Sequence, residues 1–426
     1  MPSLRRRLKS LVESVDWLRK LYLYAQFRRN MRKISSAWAD LPAAGVASDT
    51  PRIFLFSRYG TETVGNHFIQ LGLLRVCFHT LPERRVYLLS AAPHITEKGL
   101  TGIIEILKRT TAGLPLARFI AEKVAVLEEE GIRTLGRGDL LVLGGGPIMD
   151  DPALVQWESW FQWAERAGAS ILIAGCGLGP LRQRKTISIA ESLLRHANAT
   201  TLRNRPQKNF ASAARLRYTL APDPAFLCAP LFVPRVGPPK RRLLAVNARV
   251  IGFDSNPMKK ISTNEIVARV VDHVFSVKEC LQIDGVFPFS TQEDVDSPDS
   301  VVAVRVARLV AEKLQIELLP FPEASVPGIL DALSQAEFVV STRMHGFILG
   351  MLFGCHAACL EYIANEGKTT DLYRDWLGRD TAPSIYLPGS LHCEDFLSLS
   401  NIIGFDASDD RLLSTYATAM RQALAR

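Results

Sequence analysis

Cysteine is scarce in this 426-residue chain: seven residues, scattered, odd in number and without a Cys-x-x-Cys pair. That excludes the disulfide framework of a small secreted domain and makes buried free thiols in a reducing cytoplasm the expectation. Cys355 and Cys359 can share one helix face, but two thiols alone make a poor metal site, and no metal or cofactor is expected. Only Cys176, at a glycine turn, is a candidate for reactivity. Long apolar runs are missing too. The longest, Phe347 to Leu360, has 14 residues and contains His356, too short to span a bilayer. The basic start is not followed by a compact apolar core and a small-residue cleavage site, so no secretory signal is expected. There is no Walker loop, and Gly175-x-Gly177-x-Gly179 lacks the glycine spacing of the dinucleotide fingerprint. No internal repeat or low-complexity tract is visible. The body of the chain also lacks net charge. Residues 1–33 hold ten Lys and Arg against two acids, a surplus of +8, and the remainder carries 41 of each sign. A nucleic-acid-binding body is therefore not expected.

The basic segment has its own pattern. Leu4, Leu8, Leu11, Val15, Leu18, Tyr22 and Ala25 recur at steps of four and three, drawing an apolar stripe along a helix. Trp17, Tyr24 and Phe27 add aromatics suited to a lipid headgroup region. The pattern predicts an amphipathic helical extension over residues 1–45. It either lies on an anionic membrane surface or packs against protein.

Further on, short continuous apolar runs alternate with helix-length segments, the pattern of α/β architecture with parallel sheets covered on both faces. Strands are expected at Arg52–Phe56, Val86–Ser90, Leu140–Leu143, Ser170–Ala174, Thr200–Arg203 and Tyr218–Ala221. A second set follows at Leu243–Asn247, Val286–Phe289, Glu317–Pro320, Phe338–Ser341 and Ala358–Tyr362. Between the sets, residues 230–242 contain four prolines and a glycine and read as a linker. A polar stretch from Ser290 to Asp299 reads as a loop at a cleft, and residues 405–426 as a C-terminal helix.

Three strand ends carry chemistry. Phe338-Val339-Val340-Ser341 stops at Thr342-Arg343-Met344-His345-Gly346. A guanidinium there can grip a carboxylate or phosphate, and the imidazole beside it can move a proton. Leu140-Leu141-Val142-Leu143 runs into Gly144-Gly145-Gly146 and the carboxylates Asp150 and Asp151. Bare glycine backbone admits close approach, and either carboxylate can accept a hydroxyl proton. The third strand ends at Gly175-Cys176-Gly177-Leu178-Gly179-Pro180. Each cluster alone is equally consistent with a tight strand-to-helix turn.

Taken in order, Tyr59-Gly60-Thr61-Glu62-Thr63-Val64-Gly65-Asn66-His67, the triple glycine, the Gly175–Pro180 run, Ala221-Pro222-Asp223-Pro224-Ala225-Phe226 and Arg343-Met344-His345 resemble the polysaccharide pyruvyltransferase family over roughly residues 52 to 380. The resemblance implies two Rossmann-like, doubly wound domains facing a cleft, as in GT-B glycosyltransferases. Their expected bounds are 50–233 and 240–400, the second carrying the Arg-x-His site. It implies phosphoenolpyruvate as donor and a pyruvate ketal on a sugar hydroxyl of a polysaccharide or lipid-linked glycan as product. The enzyme would be cytoplasmic, peripheral at the inner face of the membrane through residues 1–33. His345 would transfer the proton, with Asp150 as a candidate base. Arg343, Arg203 and Lys368 would bind the donor, Gly145, Gly146 and Gly177 would let it approach, and Asp223 would hold the acceptor hydroxyl. His67 is a weaker acceptor-side candidate. Two departures stand out: Asn204 follows Arg203 where the family often has Asp, and Asn66 follows Gly65 where the family often has Asp. The alternatives are a nucleotide-sugar glycosyltransferase of GT-B type and a degenerate, non-enzymatic glycan-binding scaffold.

Overall fold

The computed structural model describes residues 50–59, 61, 63–151, 153–206, 210, 217–232, 241–249, 262–292, 299–323, 325–362, 367–387, 389–402 and 410–425. The expected N-terminal helix and most of the proline-rich linker lie outside them.

The first sheet contains β1 (Ile53–Phe56), β2 (Val86–Ser90), β3 (Val124–Glu128), β4 (Leu140–Gly144), β6 (Ser170–Leu178), β7 (Ala199–Leu202) and β8 (Thr219–Leu220). Their order is β3-β2-β1-β4-β6-β7-β8, and a short β5 (Pro147–Ile148) pairs with β6. Every pairing is parallel. Side chains alternate between its faces. Ile53, Leu55, Leu140 and Val142 pack on α1 (Val64–Thr80), α2 (Pro93–Leu107) and α3 (Leu114–Lys123). Phe54, Phe56, Leu141 and Leu143 pack on α4 (Ala153–Ala167) and α5 (Arg184–His196). Both faces are covered, which is why these strands read as unbroken apolar runs.

The second sheet runs β11-β10-β9-β12-β13, again all parallel, from β9 (Leu243–Asn247), β10 (Gly285–Pro288), β11 (Glu317–Leu318), β12 (Phe338–Ser341) and β13 (His356–Cys359). Leu244, Val246 and Val340 face α6 (Thr263–Ser276) and α8 (Asp299–Leu314); the short α7 (Lys278–Leu281) follows α6. Ala245, Val339 and Ala357 face α9 (Val326–Leu333), α10 (Met344–Leu352) and α11 (Lys368–Trp376). That last layer merges with the α1–α2 layer of the first sheet into one apolar cluster. Phe68, Phe232 and Phe353 knit it, with ring centroids 4.8–6.5 Å apart. The C-terminal helix α12 (Arg411–Leu424) returns to the first sheet, where the Tyr416 hydroxyl donates to the Pro222 carbonyl at 2.7 Å. The protein thus has two Rossmann-like, doubly wound sheets. No helix among the described residues is long and apolar enough to cross a membrane.

Several expectations need correction. β3 is an additional strand: it is a half-buried edge strand following directly on α3, so its apolar signal is weak. β6 continues four residues beyond Ala174 through the glycine run, where Gly175 takes φ +65° and the register shifts. Pro230 belongs to a 3₁₀ helix over Pro224–Leu231 rather than to an irregular linker. Cys280 and Cys393 are joined, tying α7 to the 3₁₀ turn at Cys393–Asp395, so not every thiol is free. Cys176 is buried, and burial pushes its thiol up to about 12, far from a reactive thiolate.

Candidate active site

In each sheet the strand order reverses direction between two central strands, β1 and β4 in the first, β9 and β12 in the second. Parallel sheets leave a crevice at the carboxyl side of such a switch point. Here the two crevices face one cavity of about 470 Å³. Arg58 stands two residues past β1, Arg203 one past β7, Arg249 two past β9 and Arg343 two past β12. All four line the cavity with Lys368, the first residue of α11. Counting Arg182, six cationic side chains and one carboxylate, Glu361, line it among the described residues. Glu361 itself accepts from the Thr369 and Thr370 amides, capping α11.

Most of these cations are aimed by a partner behind them. The Arg343 fork meets Asp299: Nε donates to Oδ2, and Nη2 to Oδ1 at 2.9 Å. Asp299 is fully buried at the start of α8. The bidentate grip expected for a ligand is therefore taken by a protein carboxylate, which fixes the guanidinium plane at the cavity wall. Arg203 Nη1 donates to Asp223 and, at 3.0 Å, to the Gly145 carbonyl. Arg58 pairs with Asp151. Arg249 donates to the Tyr362 hydroxyl at 2.9 Å and lies over its ring. Lys368 has no carboxylate partner among the described residues. Burial, then the charges of Arg203, Arg58, Arg249 and Arg343, hold its ammonium well below the usual lysine range.

His345 occupies the first turn of α10, its ring resting on the bare Cα of Gly65 in α1. Its Nε2 is buried without a hydrogen-bond partner among the described residues and lies 4.0 Å from Asp223 Oδ2. Burial, opposed by Asp223 and reinforced by Arg203, Lys368 and Arg343, lowers its pKa to about 4. The imidazole is accordingly neutral at neutral pH. A buried nitrogen unpaired among the described residues is a costly arrangement that a ligand hydroxyl donating to it would relieve, while the surrounding cations call for an anion.

The other sequence candidates divide. Gly145 and Gly146 line the cavity, and a side chain at Gly146 would strike Ser57 Oγ at 2.6 Å. Gly177 does not line it; its missing side chain leaves room for Arg203, whose Nε would lie 2.8 Å from a Cβ there. Asp223, 1% exposed, is held by Arg203 and the Ala225 amide, so it orients the site rather than presenting a free carboxylate. Asp150 lies outside the cavity lining. It accepts from the Arg182 amide at 2.9 Å and from the Thr186 hydroxyl at the start of α5, the engagement of a helix cap and not of a poised base. His67 is buried in α1 and lines a different cavity. Asn204 braces the structure. Its Oδ1 accepts from the Leu178 amide at 2.8 Å, and its Nδ2 donates to the Leu178 carbonyl and to Asp371 of α11, each at 3.0 Å. Asn66 binds the Arg58 carbonyl at 3.1 Å, closing the loop after β1. Sequence reasoning missed Arg58 and Arg249. The rule that singles out Arg343, a cation just past a buried strand, applies equally to both. Asp299 leaves no signal, since it ends a polar stretch that reads as loop. No group of three or more His, Cys, Asp or Glu among the described residues is placed to hold a metal.

No curated protein matches the chain. Solved structures similar to it include the UDP-GlcNAc 2-epimerase from Neisseria meningitidis bound to UDP-GlcNAc, with 7% identity, 73% of this chain and 83% of that one covered, and a TM-score of 0.38. A glycosyltransferase from Rickettsia africae has 9% identity, coverage of 88% and 96%, and a TM-score of 0.42. E. coli ADP-heptose LPS heptosyltransferase II has 10% identity, coverage of 87% and 99%, and a TM-score of 0.35. The polysaccharide pyruvyl transferase family model matches residues 12–364, more than four-fifths of the chain, including Arg58, Arg203, Arg249, Arg343 and His345. The chain belongs to the polysaccharide pyruvyl transferase family of transferase enzymes.

Proposed function

We propose that the cationic cavity binds phosphoenolpyruvate and that His345 transfers the proton which lets a sugar hydroxyl add to it. The convergence of Arg58, Arg203, Arg249, Arg343 and Lys368 on one cavity with His345, whose Nε2 has no partner among the described residues, carries this reading. Phosphoenolpyruvate is a small trianion with a phosphate and a carboxylate one carbon apart, so it needs several cations in a compact space. The neutral imidazole accepts the hydroxyl proton as the acceptor oxygen bonds to C2, and delivers it to the C3 methylene, which becomes the methyl. Phosphate then leaves from C2 with its bonding pair, and a second hydroxyl of the sugar bonds to C2 and closes the ketal, its proton passing to the departing phosphate. The cations stabilise the charge that builds on the phosphate as it departs.

The acceptor in this reading is a polysaccharide or lipid-linked glycan. The +8 segment at residues 1–33 would bring the enzyme to the anionic inner face of the membrane. Binding of the full chain to anionic liposomes at moderate salt tests that part, and no binding contradicts it.

Release of inorganic phosphate from phosphoenolpyruvate across a panel of free and lipid-linked glycans tests the main claim. Acceptor-dependent release is expected, with phosphoenolpyruvate raising the melting temperature. Stabilisation by UDP- or GDP-sugars and none by phosphoenolpyruvate would instead point to glycosyl transfer.

A further inference from the structure

We propose that a second cavity, between α2 and α9, holds the non-reacting sugar residues of the acceptor; this rests on the pyruvyl-transfer reading above. The cavity measures about 890 Å³, nearly twice the cationic one, and nothing in donor chemistry requires it. Thr63 and Gln292 line both cavities and pair with each other in an isolated bridge, so the partition between them is thin. The first turn of α1 forms the rest of that wall. Val64 and His67 line the second cavity, Asn66 lines the first, and Gly65 between them carries the His345 ring. The proton-transferring group therefore stands at the partition.

The lining suits a polyol rather than an anion. Lys98 and Arg109 are outnumbered by Glu105, Glu323 and Asp331, and Arg109 is paired with Asp331 at 2.5 Å across the cavity. The cation surplus of the neighbouring site is absent here. Thr291, fully buried, belongs to the wall of this cavity, and its hydroxyl has no partner among the described residues. Val326 and Pro327, against which α2 packs through Gly102, supply an apolar wall for the C–H face of a sugar ring. Polar side chains such as Thr101, Ser325 and Gln292 beside an apolar wall match the chemistry of a neutral oligosaccharide.

Thr101, exposed on α2, lines the cavity, so Thr101→Trp places an indole within it. Phosphate release is measured with a monosaccharide and a tetrasaccharide acceptor, alongside the melting shift produced by phosphoenolpyruvate. The variant should raise the tetrasaccharide KM about tenfold or more, leaving the monosaccharide KM and the phosphoenolpyruvate shift as they are. Thr291→Val, which keeps the side-chain volume, should weaken the tetrasaccharide in the same sense. Equal effects on both acceptors, or no effect, would overturn the assignment while pyruvyl transfer stood. Saturation-transfer NMR with neutral di- to hexasaccharides, in the absence of phosphoenolpyruvate, separates the two claims. Binding by the native protein that is lost in Thr101→Trp supports the glycan cavity even if no phosphate is ever released. Native protein that binds no member of the series would refute it.

Discussion

Gly65 brings no chemistry of its own, yet its substitution tests the site most directly. A Cβ at this position would sit 2.5 Å from His345 Cβ and closer still to Cγ and Nδ1 of the ring. Carbon atoms pack at roughly 3.5–4 Å, so Gly65→Ala must drive the imidazole away by about an ångström or more. Gly65 is not among the glycines with positive φ, so the backbone tolerates alanine and the clash is the whole perturbation. Overpacking of this size costs about 1–3 kcal/mol of stability, which leaves the protein folded. A misplacement of about 1 Å at a reacting group lowers turnover on the order of 100-fold. Steady-state phosphate release should therefore show kcat falling by about that factor, with the phosphoenolpyruvate-induced melting shift largely kept because the arginines have not moved. The effect should vanish in a His345→Gly background, where neither the ring nor the Cβ that Gly65→Ala would strike remains. Activity within a few-fold of native for Gly65→Ala, or additive losses in the double variant, would refute the role given to His345.

Three further outcomes are expected. Arg343→Ala strands the buried Asp299, so about 3–5 kcal/mol of stability should be lost together with donor binding; adding Asp299→Asn should restore the denaturation midpoint but not the binding, and recovery of both would place Arg343 outside the donor site. Burial first, and then the surrounding cations, lower His345 and Lys368; phosphoenolpyruvate offsets the cationic part, so the complex holds more protons than the free protein and affinity should rise as pH falls; calorimetry in buffers of different ionisation enthalpy should show proton uptake, diminished in Lys368→Met, and proton release would contradict that field. Asn204→Asp, which restores the acid common in the family, removes the donor to Leu178 and sets a second carboxylate against Asp371, already raised by burial; about 1–3 kcal/mol should be lost at pH 7 and partly regained as pH falls and the pair takes up a proton, and native-like stability at pH 7 would contradict the strut role.

The arrangement also explains how a carboxylate can be missing without emptying the site. Asn204 is a strut: it fastens the loop after β7 to α11, and the Trp376 indole reinforces the same junction by donating to the Arg203 carbonyl at 2.6 Å. Because α11 begins with Lys368, this clamp places the ammonium beside the guanidinium groups of the other sheet. An acid at position 204 would repel Asp371 and loosen that closure.

Local pattern alone announced the α/β alternation, since strands buried on both faces must be continuously apolar, and it marked Arg343 and His345 because they follow such a run, whereas Arg203 came from the family resemblance. Edge strand β3 escaped because an edge strand needs no unbroken apolar stretch. Asp150 shows a limit of residue type, since a helix cap and a catalytic base call for the same carboxylate, and its contacts at the start of α5 are those of a cap. What no local pattern contains is the meeting of residues about 285 positions apart. The switch points of both sheets had to face one another before Arg58 and Arg343 could share a cavity, and Gly65 had to reach α10 before His345 had a seat. Residue order was enough to set the elements and the groups at their ends. Packing of one sheet's layers on the other's selected which of those groups converge, because burial and a common cationic field exist only once the two sheets are joined.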